Sequence, residues 1–177
     1  MKKNINFKEV NMKFLLLIAS FLVLSGCAST YQEPSLGEPV SYISFENVSE
    51  KSHLGQTITF FAVDDNYRPN KAFSGRKNQN IMAIFADKNP LVKTNVPESL
   101  KIPAKSNFRL KAQTAIGVDV CGKLIGFQTK EGEQYKVVFN SGVNFKKNAL
   151  FCNAEIFHKT GGKFVPIQLN ENYLDIS

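Results

Sequence analysis

The sequence has little of what most catalytic and metal sites need, with two histidines and three cysteines among its 177 residues. His53 and His158 stand at no ligand spacing from the cysteines, so no metal site is predicted. The serines occur in no Gly-x-Ser-x-Gly turn, and no Ser-x-x-Lys set falls within a helical pattern. The sequence therefore predicts neither an enzyme nor a cofactor.

The chain also has no hydrophobic run long enough to cross a membrane as a helix. The apolar run from Phe14 to Leu24 is much shorter than the about 20 residues that a spanning helix needs. Lys13 precedes this run and small residues follow it, which is typical of a secretory signal. Because Met12 and Lys13 with this core already form a compact signal, translation starts at either Met1 or Met12.

The residues Leu24-Ser25-Gly26-Cys27 resemble the lipobox of bacterial lipoproteins. The resemblance implies that residues 1–26, with the signal helix, are removed and that the Cys27 thiol receives a diacylglycerol. It also implies that the new amino terminus is acylated. Two or more acyl chains hold a protein stably on a bilayer. Ala28 is similar to the residue found in the outer-membrane class, so we expect anchoring on the periplasmic side of the outer membrane, with the inner membrane as the alternative.

Residues 27–39 are polar and contain two prolines and a glycine, which predicts a short linker after the lipidated cysteine. Fully extended, Ser29 to Pro39 reaches only about 36–40 Å, so the domain stays close to its membrane. Loss of the signal, with its lysines and Glu9, lowers the formal charge from +7 to +4. This modest charge predicts no nucleic-acid partner.

Residues 40–177 predict one all-β domain, an antiparallel β-sandwich of about eight short strands, with a closed barrel as the alternative. No convincing helical pattern longer than two turns occurs, whereas apolar residues alternate with polar ones. In Asn107–Ile116, for example, Phe108, Leu110 and Ala112 share one face. The predicted strands are Val40–Val48, Gln56–Val63, Ile81–Ala86, Ser99–Ile102, Asn107–Ile116, Val120–Thr129, Gln134–Asn140, Ala149–His158 and Phe164–Leu169.

Cys121 and Cys152 remain as a pair once Cys27 is modified, and an exported chain predicts a disulfide between them. Two separately buried thiols are the alternative. If the strands around them formed a flat meander, the outer strands would lie about 9.5 Å apart. A disulfide needs Cα atoms within about 7 Å, so the meander and the bond are incompatible. We therefore expect the Cys121 end to bend away, or to sit in the preceding loop, and to meet Cys152 near the sandwich edge or across its sheets.

A second, more degenerate pattern lies around this pair of cysteines. Lys101-Ile102-Pro103-Ala104, an alternating strand, a cysteine, Phe127, Glu131-Gly132-Glu133-Gln134-Tyr135 and a second cysteine follow one another. This order resembles small uncharacterised bacterial lipoproteins with a disulfide-containing β-sandwich. The resemblance implies that fold and carries no activity.

The segment from Asp64 to Asn80 is long for a β connection and predicts a binding loop. Its cations, with aromatic residues between them, suit an anionic glycan, a lipid headgroup or an acidic protein patch; they are Arg68, Lys71, Arg76 and Lys77. A solvated loop is the alternative.

These features together predict a membrane-anchored envelope lipoprotein that binds or braces another envelope protein without catalysis. The first alternative is a carrier of a small ligand, glycan or lipid that uses a cleft between the sheets. The second is a hydrolase, which a deep pocket with an acidic residue beside His158 would favour.

Overall fold

The computed structural model describes residues 29–49, 55–64, 79–87, 92–116, 119–144, 149–167 and 174–176. The described chain consists of strands joined by turns and short irregular segments, and contains no helix. Accordingly, within these ranges there is no helix of the length and hydrophobicity that a membrane span requires. The predicted signal helix and Cys27 lie outside the described residues.

In the described ranges, eleven strands form two sheets. They are β1 (Ser29–Thr30), β2 (Val40–Asn47), β3 (Gln56–Val63), β4 (Gln79–Asp87), β5 (Leu100–Pro103), β6 (Asn107–Ile116), β7 (Asp119–Gln128), β8 (Gln134–Asn144), β9 (Ala149–Thr160), β10 (Lys163–Pro166) and β11 (Leu174–Ile176). The six-stranded sheet has the order β1-β4-β3-β6-β7-β11, and the five-stranded sheet has the order β10-β9-β8-β2-β5.

The architecture confirms the predicted all-β sandwich. Every predicted strand overlaps an observed one, and β1 and β11 are additional. Both additional strands have only two or three residues, too few to show a period of two. Most neighbours are antiparallel, but β1 pairs with β4 and β2 pairs with β8 in parallel, so both sheets are mixed.

The core lies between the sheets and is rich in phenylalanine. Phe60, on β3, is fully buried at its centre, with the Phe45 ring 4.7 Å away and the Phe139 ring 6.0 Å away between centroids. The predicted inner face of β6 is confirmed, because Phe108, Leu110 and the other members of that face are buried. Alternating strands of this kind place every second side chain in the core.

The disulfide between Cys121 and Cys152 joins the two sheets. Cys121 lies on β7 of the six-stranded sheet and Cys152 on β9 of the five-stranded sheet, with Cα atoms 6.0 Å apart. The strands around the cysteines form no flat meander, as the predicted bond requires, because the chain changes sheets between β7 and β8, through residues 129–133. The expectation that the bond crosses between sheets is confirmed, and Cys121 lies within a strand rather than in the preceding loop.

Residues 29–39, expected to be a linker, are in contact with the sandwich. β1 pairs with the edge of β4, and the Tyr31 amide donates to the Ile81 carbonyl at 2.9 Å. The Tyr31 hydroxyl donates to the Lys101 carbonyl at 3.1 Å, and the Lys101 amide donates to Glu33 Oε1 at 3.0 Å. This segment therefore bridges an edge of one sheet to an edge of the other, because it satisfies backbone groups on both.

Candidate functional site

An open cleft of about 490 Å³ lies on the outer face of the five-stranded sheet. Its walls combine aromatic rings with hydroxyl, amide and carboxylate groups. The lining residues are Tyr42, Ser44, Glu98, Ser99, Gln134, Tyr135 and Phe164.

The strand register explains why these side chains meet. Tyr42 on β2 stands opposite Gln134 on β8, and because side chains alternate, Ser44 points to the same outer face. The two-residue turn between β9 and β10 then places Phe164 opposite Lys159 on that face. Gly161 and Gly162 form this turn with φ of +58° and +82°, values that glycine adopts without strain.

Two lysines flank the Phe164 ring. Lys136 Nζ lies 4.9 Å from the ring centroid and forms a 2.8 Å ion pair with Glu46. Lys159 Nζ lies 6.0 Å from the same centroid and donates to Gln134 Oε1 at 2.9 Å. Although 37% of Phe164 is exposed, these contacts restrict its ring because cations are attracted to an aromatic face.

Tyr135 forms part of the cleft wall and contacts a second polar cluster. Its ring stacks on His158 at 5.3 Å, and its hydroxyl accepts a hydrogen bond from the Lys130 amide at 3.0 Å. Burial raises the pKa of Tyr135; the hydrogen bond from Lys130 opposes this rise and the Glu133 carboxylate adds to it. The hydroxyl is therefore protonated at neutral pH and remains a hydrogen-bond donor.

His158, Glu133 and Thr160 form a hydrogen-bonded line beside Tyr135. His158 Nε2 lies 2.7 Å from Glu133 Oε2, and Thr160 Oγ1 lies 3.2 Å from His158 Nδ1. With Nε2 donating to the carboxylate, Nδ1 accepts from the Thr160 hydroxyl. The acidic residue beside His158 that would favour a hydrolase is therefore present as Glu133, but His158 is not among the residues that line the cleft.

Of the predicted site residues, only the cysteine pair of the disulfide lies within the described part of the chain. Arg68, Lys71, Arg76 and Lys77 lie outside the described residues, as does Cys27. The strands that flank the loop, β3 and β4, belong to the six-stranded sheet, whereas the cleft lies on the other one. The role of these residues stays a prediction.

The cleft was not predicted from the sequence, although the sequence contains the alternation that assigns some of its lining residues to one face of β8. The alternation of β8 assigns Gln134 and Lys136 to a face opposite Tyr135 and Val137. That pattern cannot show which strand lies beside β8, and its neighbour β2 precedes it by about ninety residues. Only the sheet order places Tyr42 next to Gln134.

Among the residues described, no group of three or more histidine, cysteine, aspartate or glutamate side chains could hold a metal ion. Comparison of the chain with protein-family models, curated proteins and solved structures finds no match.

Proposed function

We propose that this protein is a lipid-anchored, non-enzymatic binding module of the bacterial envelope, and that the cleft seats a segment of envelope glycan. The observation that carries the proposal is the combination of Tyr42 and Phe164 with polar groups on one rigid sheet face. Sugars have apolar C–H faces and polar edges, so aromatic rings beside hydrogen-bonding groups suit them.

The form of the cleft supports a glycan segment over an enclosed small molecule. Its volume of about 490 Å³ lies in the ordinary range of ligand sites, and it is open to solvent. The space between the sheets, where a carrier was expected to hold its ligand, contains fully buried side chains such as Phe60, Phe139 and Ile125. An outer-face cleft lets a polymer enter and leave without separating the sheets.

The anchor part of the proposal is supported by the lipobox-like sequence that ends at Cys27. The expected position is the periplasmic side of the outer membrane, with the inner membrane as the alternative. Globomycin, which blocks the peptidase of this maturation route, should cause a heavier precursor to accumulate. Normal processing in its presence, together with normal sorting of a Cys27→Ser variant, would contradict the anchor.

Binding is favoured over hydrolysis by the positions of the groups. The line of Glu133, His158 and Thr160 has a hydroxyl and a carboxylate on opposite sides of an imidazole. Hydrolysis also requires a substrate carbonyl or glycosidic bond held at the hydroxyl. Tyr135 borders the cleft but is 3% exposed, and His158 is stacked on Tyr135 and lies outside the lining.

An envelope protein partner is the second candidate, favoured by the edge strand β10. All four of its residues are exposed, including 49% of Val165. One side of β10 pairs with β9, and no described strand pairs with its other side, whose backbone groups could pair with an extended segment of a partner.

The glycan proposal is tested by titrating the purified protein with soluble oligosaccharide fragments of the bacterial cell wall. We expect chemical-shift changes at Gln134 and Ser44, and at least about a ten-fold weaker affinity for Tyr42→Ala and Phe164→Ala. Phe151→Ala is the matched control, because Phe151 is 40% exposed but does not line the cleft. Equal affinity in all three variants would contradict the proposal.

A further inference from the structure

Several turns lie at the end of the sandwich where the described chain begins, and we call this the entry end. Ser29 on β1 is level with Asn80, at the start of β4, and its hydroxyl donates to the Asn80 side chain. β4 runs from this end towards Asp87, which pairs with Gln56 at the opposite end of β3. The turns at 35–38, 104–106, 129–133 and 161–162 also lie at the entry end, as the starts of β2, β6, β8 and β10 show.

The turns at 35–38, 104–106 and 129–133 are joined by backbone hydrogen bonds. The Ala104 amide donates to the Pro39 carbonyl at 3.0 Å, and the Gly132 amide donates to the Val40 carbonyl at 2.8 Å. The Lys105 amide donates to the Thr129 carbonyl at 3.0 Å. The entry end is therefore a connected surface in which the turns hold fixed positions.

Leu36 projects from this surface and is 100% exposed, the most exposed large hydrophobic residue described. Its turn is closed by two hydrogen bonds: the Glu38 amide donates to the Ser35 carbonyl at 3.2 Å, and the Ser35 amide donates to Glu38 Oε2 at 3.1 Å. A leucine held in water lacks the stabilisation that burial of such a side chain provides. Its position is explained if something apolar covers it.

The length of chain before β1 identifies the covering surface. Cys27 is separated from Ser29 by Ala28 alone, and two extended residues span about 7 Å. Because residues 29–39 are in contact with the sandwich, the expected reach of about 36–40 Å is reduced to this short distance. A lipid on Cys27 would hold the entry end against the leaflet.

We infer that the entry end is a membrane-contact surface and that Leu36 inserts into the lipid leaflet. The inference rests on the proposed anchor at Cys27. The exposed Lys130 side chain, in the neighbouring turn, suits anionic headgroups, and Lys105 is paired with Glu131 at 2.8 Å. With this end on the leaflet, the cleft opens sideways, so its ligand approaches parallel to the membrane.

The experiment uses fluorescence, because the chain contains no tryptophan. Leu36→Trp protein, expressed with its signal and purified in its mature form, is reconstituted in phosphatidylethanolamine and phosphatidylglycerol vesicles with and without brominated lipid. We expect a blue-shifted emission and at least about a two-fold loss of intensity with brominated lipid. Phe151→Trp, towards the opposite end, is the matched control and should keep its emission.

Co-flotation with the vesicles distinguishes failure of the membrane-contact surface from failure of the lipid anchor. If the protein co-floats but Leu36→Trp is no more quenched than Phe151→Trp, the membrane-contact surface is wrong and the anchor stands. If the protein does not co-float and carries no acyl mass on Cys27, the anchor of the proposed function is wrong as well. Co-flotation with selective quenching of Leu36→Trp supports both.

Discussion

Three buried polar side chains lie between the sheets, close to the disulfide. The Gln56 amide donates to Thr114 Oγ1 at 3.2 Å and to Ser141 Oγ at 2.8 Å. Thr114 stands opposite Cys121, and Ser141 opposite Cys152, so the polar contacts and the disulfide are neighbours. Buried polar groups are tolerated when they are hydrogen-bonded, and the Gln56 amide supplies a hydrogen bond to one hydroxyl in each sheet.

Replacing Gln56 with alanine should therefore destabilise the fold. Thr114 and Ser141 would each lose a partner in a buried setting, which costs about 1–3 kcal/mol in the free energy of unfolding. Urea denaturation measures the loss, with Gln128→Ala, at an exposed position, as the control. An equal effect from both substitutions would contradict the role of this amide.

At the scale of elements, the disulfide ties β7 to β9. It closes a sequence separation of 31 residues, for which chain entropy predicts roughly 3.5–4 kcal/mol of stabilisation. The double variant Cys121→Ala, Cys152→Ala should lose about that much in the free energy of unfolding. The reduced wild-type protein should lose a similar amount, and a loss below about 1 kcal/mol in both would contradict the entropic account.

The segment before β2 is another element whose contacts can be tested. The Tyr31 ring packs edge-on against Phe108 with centroids 6.5 Å apart, while its hydroxyl contacts β5. Tyr31→Ala should release the segment, so that the amides of residue 31 and Lys101 exchange at least about ten-fold faster with deuterium. The amide of Val137 in the core should be unchanged, and a uniform acceleration would instead indicate global destabilisation.

For the whole molecule, the partly buried Tyr31 and the buried Tyr135 predict loss of stability at alkaline pH. Burial raises the pKa of Tyr31, and the nearby Glu33 carboxylate raises it further. Burial likewise raises the pKa of Tyr135. Their folded-state pKa values exceed the unfolded value of about 10, so the stabilisation is complete below about pH 10 and is lost as the pH rises through the folded values.

The free energy of unfolding should therefore begin to fall as the pH rises above about 10 and should continue to fall at higher pH. The double variant Tyr31→Phe, Tyr135→Phe removes both ionisations and should show a shallower fall over this range. Denaturant titrations at a series of pH values measure the slope, and comparison at about pH 8 corrects for the lost hydroxyl contacts. An unchanged slope would contradict the assignment to these tyrosines.

Local patterns in the sequence, namely the alternation of apolar with polar residues and the turn glycines, determined the strands. Alternation in Asn107–Ile116 fixes which face of β6 is buried, and the glycine pair at 161–162 fixes a tight turn. The two cysteines of the domain, together with the expectation of export, also predicted the disulfide that the structure contains. These features depend on neighbouring residues, whose spacing is visible in the sequence.

Tertiary structure alone decided which strands meet. The parallel pairing of β2 with β8 brings Tyr42 beside Gln134 and creates the cleft. Because the chain crosses from one sheet to the other between β7 and β8, the disulfide joins the two sheets. Tertiary structure also placed Tyr31 and its neighbours, polar enough to predict a linker, against two sheet edges. Such contacts depend on strand order, because a period-two pattern specifies a face and a turn but not a distant partner.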